Sequence, residues 1–156
     1  MKTTPSLLAA SALFLFGCTA GNQDNQHDHG HVAMHGGTLV ELGDHAHNLE
    51  LVLDKETGTL GVYTFGGHAE KFVRVKQPSI VLSLDEPLGD AGSLELQAVP
   101  NEVTGETVGD TAYFSIQNDN LKEVVSLSGK VNSVELQGHT YTEVPFKLNG
   151  NHGHSH

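Results

Sequence analysis

The stretch TLVELGDHAHNLELVLDKETGTLGVYTF, residues 38–65, decides the fold. Apolar and polar residues alternate over Thr38–Leu42 and over His45–Leu53, the period of a strand with one face on a core. Gly43-Asp44 separates the two runs and reads as a two-residue hairpin turn. Asp54–Gly58 reads as a second turn, with Gly58 supplying a positive φ, and Thr59–Phe65 returns as the next strand. In this register Leu42 faces His45, Val40 faces His47 and Thr38 faces Leu49. His45 and His47 then share a face with Leu49, Leu51 and Leu53, at the rim of the core-facing stripe. A slip of one residue would turn both histidines to solvent.

The same pattern continues outward. Phe72–Lys76 and Ser79–Leu84 alternate on either side of Pro78, which marks a break or an edge. Ser93–Val99 and Thr111–Gln117 read as strands separated by a Gly/Glu/Thr-rich loop, and Val131–Gln137 and Thr140–Leu148 as a hairpin across Gly138. Asn120–Leu127 has a helical pattern, with Leu121, Val124 and Val125 on one face and Asp119 placed to cap it. The expected fold is all-β: an antiparallel β-sandwich or small barrel of about 7–9 strands, with at most one short helix. Tyr63, Phe65, Phe72, Tyr113, Phe114, Tyr141 and Phe146 lie inside strands and are expected in the core rather than on a ligand platform.

Residues 1–17 carry a Lys2-bearing start, an apolar run from Leu7 to Phe16 and a small residue, Gly17, before Cys18. This describes a secretory signal whose apolar run is too short to span a bilayer. Leu15-Phe16-Gly17-Cys18 resembles a bacterial lipobox, so Cys18 is expected to be lipidated, with palmitate among its acyl chains. The expected location is the periplasm-facing cell envelope. Thr19 is not the Asp that resembles an inner-membrane retention signal, which favours the outer membrane. Residues 18–34 form a polar His-rich tether with too little apolar content to order itself. Residues 35–148 form the β domain and 149–156 a second His-rich tail.

Composition limits the function. The net charge of −11 argues against nucleic acid, which is bound by clustered Lys and Arg. The only cysteine is taken up by the expected anchor, so neither a disulfide framework nor a thiolate ligand remains. No Gly-x-Ser-x-Gly, His-Glu-x-x-His or Ser-x-x-Lys pattern occurs, and a non-enzyme is expected. Asp85, Glu86, Asp90, Glu102, Glu106 and Asp110 read as a solvated acidic face without EF-hand spacing.

Histidine is the anomaly, at 11 residues against a single cysteine. His27, His29 and His31 alternate near the start, and His152, His154 and His156 alternate at the end. In an extended chain such side chains point the same way and can converge on one ion. Imidazole suits Zn²⁺, Cu²⁺ and Ni²⁺, and short His-rich tracts bind metal. Within the β domain, the rim pair His45 and His47 offers a half-site that His35 or His68 would complete. The competing reading is hydrogen-bonded structural histidines at the end of a sandwich. His139, beside Gly138, reads as loop surface.

The segment His35-Gly36-Gly37, the apolar run Thr38–Leu42, Gly43-Asp44 and Glu50-Leu51-Val52 resembles segments of small His-rich bacterial lipoproteins of unassigned function. It is also similar to N-terminal regions of periplasmic adaptors of heavy-metal efflux systems. The resemblance covers residues 31–76. It implies an envelope setting linked to divalent metals, and carries over His35, Gly36, Gly37, His45 and His47 as candidate positions. The helical hairpin and lipoyl-type parts of those adaptors have no counterpart here, so a pump-adaptor role is not implied.

Two functions follow as expectations. The first is a lipid-anchored protein that binds Zn, Cu or Ni through histidines, for buffering, sequestration or delivery, with a metal-efflux or other envelope protein as partner. The second is a non-catalytic β-sandwich module that binds another envelope protein, with solubilising tails. Deleting both tails separates them.

Overall fold

The computed structural model describes Met1 and residues 32–149. The expectations for Cys18, His27, His29, His31, His152, His154 and His156 therefore fall outside the described residues. The described chain is all-β: eight antiparallel strands in one nearly closed, barrel-like sheet. Among the described residues no helix is long and apolar enough to cross a membrane.

The strands are β1 (Thr38–Leu42), β2 (His47–Asp54), β3 (Thr59–Gly66), β4 (Ser79–Leu88), β5 (Ala91–Ala98), β6 (Tyr113–Gln117), β7 (Ser126–Leu136) and β8 (His139–Asn149). Their spatial order is β1-β2-β3-β6-β5-β4-β7-β8. A β1–β2–β3 meander and a β7–β8 hairpin thus flank the β4–β5–β6 meander, which is inserted in reverse order. The connections 67–78 and 118–125 each cross two strands to make this possible.

Alternation places Val40, Leu42, Leu49, Leu51, Leu60, Val62, Ile80, Leu82, Leu94, Leu96, Phe114 and Val131 in one interior cluster, each at most 8% exposed. At roughly 1.5–3 kcal/mol per fully buried large apolar side chain, this cluster is the main stabilising element. The inward face of β7 switches from Val131 to Val134 and Leu136 at a kink opposite Glu143, whose φ is 52°.

Three local expectations are corrected. The β1–β2 hairpin has no two-residue turn: Leu42 pairs with His47 and Val40 with Leu49, so Gly43–Ala46 form a four-residue loop. Gly43 at φ 64° and His45 at φ 56° provide the left-handed steps of this loop. Because the register moved by two residues, the apolar stripe still faces inward. Phe72–Lys76 makes only the isolated bridges Phe65–Phe72 and Val75–Thr111, because its two neighbours are different segments that each accept it briefly. The expected helix at Asn120–Leu127 shrinks to a 3₁₀ turn, Asp119–Glu123, capped by Asn118 instead of Asp119. Val124 is already extended and Ser126 opens β7, so sheet pairing outweighs the helical pattern.

Candidate functional site

β2 carries different chemistry on its two faces. His47, Leu49 and Leu51 point inward, whereas Asn48 and Glu50 point outward and are nonetheless 1% and 0% exposed. Chain segments folded over the outer wall provide the cover. The Asn48 amide donates to the carbonyls of Gly66 and Gly67 at 3.2 and 2.9 Å. Glu50 lies beneath the segment that leads into β1.

A buried carboxylate needs hydrogen-bond donors to offset its lost hydration. Glu50 has three. Its Oε1 accepts from the backbone N–H groups of His35 at 2.7 Å and Gly37 at 2.9 Å, and its Oε2 lies 2.9 Å from Nδ1 of His35. Gly37 sits against the Leu51 carbonyl so closely that no side chain fits there. The His35-Gly36-Gly37 segment is thereby strapped to the outer wall by one carboxylate.

The His35 ring lies flat on Tyr63, with centroids 3.8 Å apart and planes 6° apart. Tyr63 stacks in turn on Tyr113 at 4.3 Å, and Phe65 stacks on Phe72 at 4.8 Å. Phe65 is fully buried, as expected, but it joins Tyr63, Tyr113 and the half-exposed Phe72, all expected in the core, in a second cluster outside the barrel wall. Phe114 and Phe146 do enter the interior. Burial raises the Tyr63 phenol to about 12, with further contributions from Tyr113 and from the Glu50 charge.

The arrangement fixes His35 chemically. With Nδ1–H committed to Glu50, the lone pair of the neutral ring lies on Nε2. The side chain is 32% exposed, and Nε2 has no hydrogen-bond partner among the described residues. Carboxylate-oriented imidazole with the other nitrogen available is the usual form of a metal-ligating histidine.

The remaining candidates separate. His47 is 3% exposed, with Nδ1 2.9 Å from the Tyr141 hydroxyl and Nε2 3.2 Å from the Gln137 amide oxygen. His45 leaves the strand for the loop, where its ring is 73% exposed and 3.0 Å from the Glu41 carboxylate. His68 lies on the exposed turn after β3, and this turn abuts the His45 loop through Gly67. His35 and His47 are on opposite faces of β2, so the expected His35/His45/His47 cluster does not converge on one point. Among the described residues no group of three or more His, Cys, Asp or Glu is arranged to hold a metal ion.

Sequence reasoning missed Glu50 and His139. Glu50 interrupts a run of apolar residues in β2, and an acid in such a run is a signal worth following. His139 opens β8 with its ring centroid 5.8 Å from that of His47, a proximity that depends on the closing of the sheet. Comparison with protein-family models, curated proteins and solved structures finds no match for the chain.

Proposed function

We propose that this is a lipid-anchored cell-envelope protein that binds divalent transition metals, Zn²⁺, Cu²⁺ or Ni²⁺, through histidines. Its role is to buffer, sequester or deliver the ion. The single observation that carries the reading is the His35–Glu50 pair. A buried carboxylate holds one imidazole nitrogen and leaves the other available, the arrangement that raises the basicity of a metal ligand and fixes its direction.

His35 acts as the ordered ligand, and the adjoining tract supplies the rest. His31 precedes it by four residues and His29 by six, and an extended chain covers at most about 3.3–3.6 Å per residue. Imidazoles from this tract therefore have the reach to join Nε2 of His35 on one ion. Cys18 supplies the anchor in this reading, and an efflux or other envelope protein is the expected recipient.

Metal analysis of the tag-free chain, followed by competition titration with Zn²⁺, Cu²⁺ and Ni²⁺, tests the reading. His35→Ala is expected to remove the tightest site, and Glu50→Gln to weaken it about 10–100-fold. Imidazole binds metal only when neutral, so affinity is expected to be lower at pH 5.5 than at pH 7.5. Equal affinity at both pH values, or an unchanged tightest site in His35→Ala, rules the reading out.

A further inference from the structure

Four of the five histidines in and around the barrel come to one of its ends. His45 lies in the β1–β2 loop, His47 opens β2, His68 follows β3 on a turn packed against the His45 loop, and His139 opens β8. The rings of His47 and His139 lie 5.8 Å apart, centroid to centroid, and they stand on opposite sides of the gap between the sheet's two edges, β1 and β8.

We propose that His47 and His139 form a second metal site across this seam, taking a divalent ion such as Zn²⁺ with water in the remaining positions. This site stands apart from the His35 site, because His47 and Glu50 lie on opposite faces of β2. Three observations carry it.

The first is distance. A Zn–N bond of about 2.0–2.1 Å places two imidazole centroids about 5 Å apart on a tetrahedral ion. The observed 5.8 Å, with the planes at 49°, exceeds this by less than an ångström.

The second is the preset direction of His47. Its side chain is almost wholly buried, and the Tyr141 hydroxyl holds Nδ1 at 2.9 Å. The hydroxyl accepts from Nδ1–H when Nε2 ligates, so Tyr141 serves His47 as Glu50 serves His35.

The third is the nature of the group on Nε2. Gln137 is an exposed residue at the tip of the β7–β8 turn, and its amide lies 3.2 Å from Nε2, the long end of the hydrogen-bond range. An ion displaces it by a side-chain rotation, without moving a strand.

The ion would tie β2 to β8 where the sheet has no backbone pairing between its edges. Binding to the folded state alone raises Tm, by roughly 10 °C at a free metal concentration about 100-fold above Kd. The test follows the ¹⁵N resonances of the histidine rings and the Tm of the full chain during titration with zinc chloride. The His47 and His139 ring nitrogens are expected to shift together, with a gain in Tm.

The His47 ring response is expected to vanish in His139→Ala and in His139→Asn, with a smaller gain in Tm, and to persist in His35→Ala. His139 is exposed at a turn, so its replacement leaves the core intact. The inference is overturned if the His47 resonance still shifts on titration in either His139 variant, or if His35→Ala abolishes that shift. Loss of the His35 response alone bears on the first site and leaves the seam site standing.

Discussion

Glu50 shows how one residue can organise a surface. It lies on the outer face of β2, where the alternation of the strand calls for a solvated group, yet it is fully buried. Two backbone N–H groups and the His35 ring account for this by donating to the carboxylate. Beside it, the stacked Tyr63 titrates late. Its phenol is raised from 10.0 to about 12, chiefly by burial and then by Tyr113 and Glu50. A raised acid keeps its proton longer in the folded than in the unfolded chain. Its contribution to stability is therefore intact below pH 10 and is lost as the pH climbs towards 12. Absorbance titration at alkaline pH should show a late step for Tyr63. That step should be missing in Tyr63→Phe; if it remains there, the assignment to Tyr63 is wrong.

At the scale of elements, pairing overrides local pattern. The alternation of Thr38–Leu42 was legible, and β1 has the expected bounds. Turn length was not, because Gly43-Asp44 and Gly43–Ala46 both preserve the inward stripe and differ only in where His45 falls. The β4–β7 pairing depends on another glycine. Gly129 pairs with Leu84, and a Cβ there would run into the Ser83 carbonyl. Gly129→Ala is expected to cost about 1–3 kcal/mol, the usual range for overpacking, read as a lowered urea midpoint. Gly138→Ala should act differently. Its Cβ would meet open space, so the cost there comes from φ 84° alone. A Gly129→Ala variant as stable as the parent would show that the two strands separate more easily than their packing implies.

At the scale of the molecule, the sheet is a barrel with one unpaired seam. His47 and Tyr141 reach across it, and Gly43 lies against the Tyr141 ring. Tyr141→Phe removes the hydroxyl from a buried imidazole nitrogen and is expected to cost about 1–2 kcal/mol. Amide exchange should then quicken in β1 and β8 before β3 and β6, which are paired on both sides. Uniform acceleration across all eight strands would mean that the seam does not open separately.

The all-β class, most strand positions and the apolar stripes were legible in the sequence because they rest on a period of two and on turn residues, which are local properties. The interest of His35 was legible for the same reason, through the His-Gly-Gly segment and its neighbouring tract. The sheet order, the burial of Glu50, the parting of His35 from His47 and the meeting of His47 with His139 were decided by the tertiary structure alone. Each depends on which distant strands become neighbours. Glu50 meets His35 across 15 residues and His47 meets Tyr141 across 94, and no local period records such distances. Long-range pairing also decided whether a histidine faced the core, the outer wall or the seam.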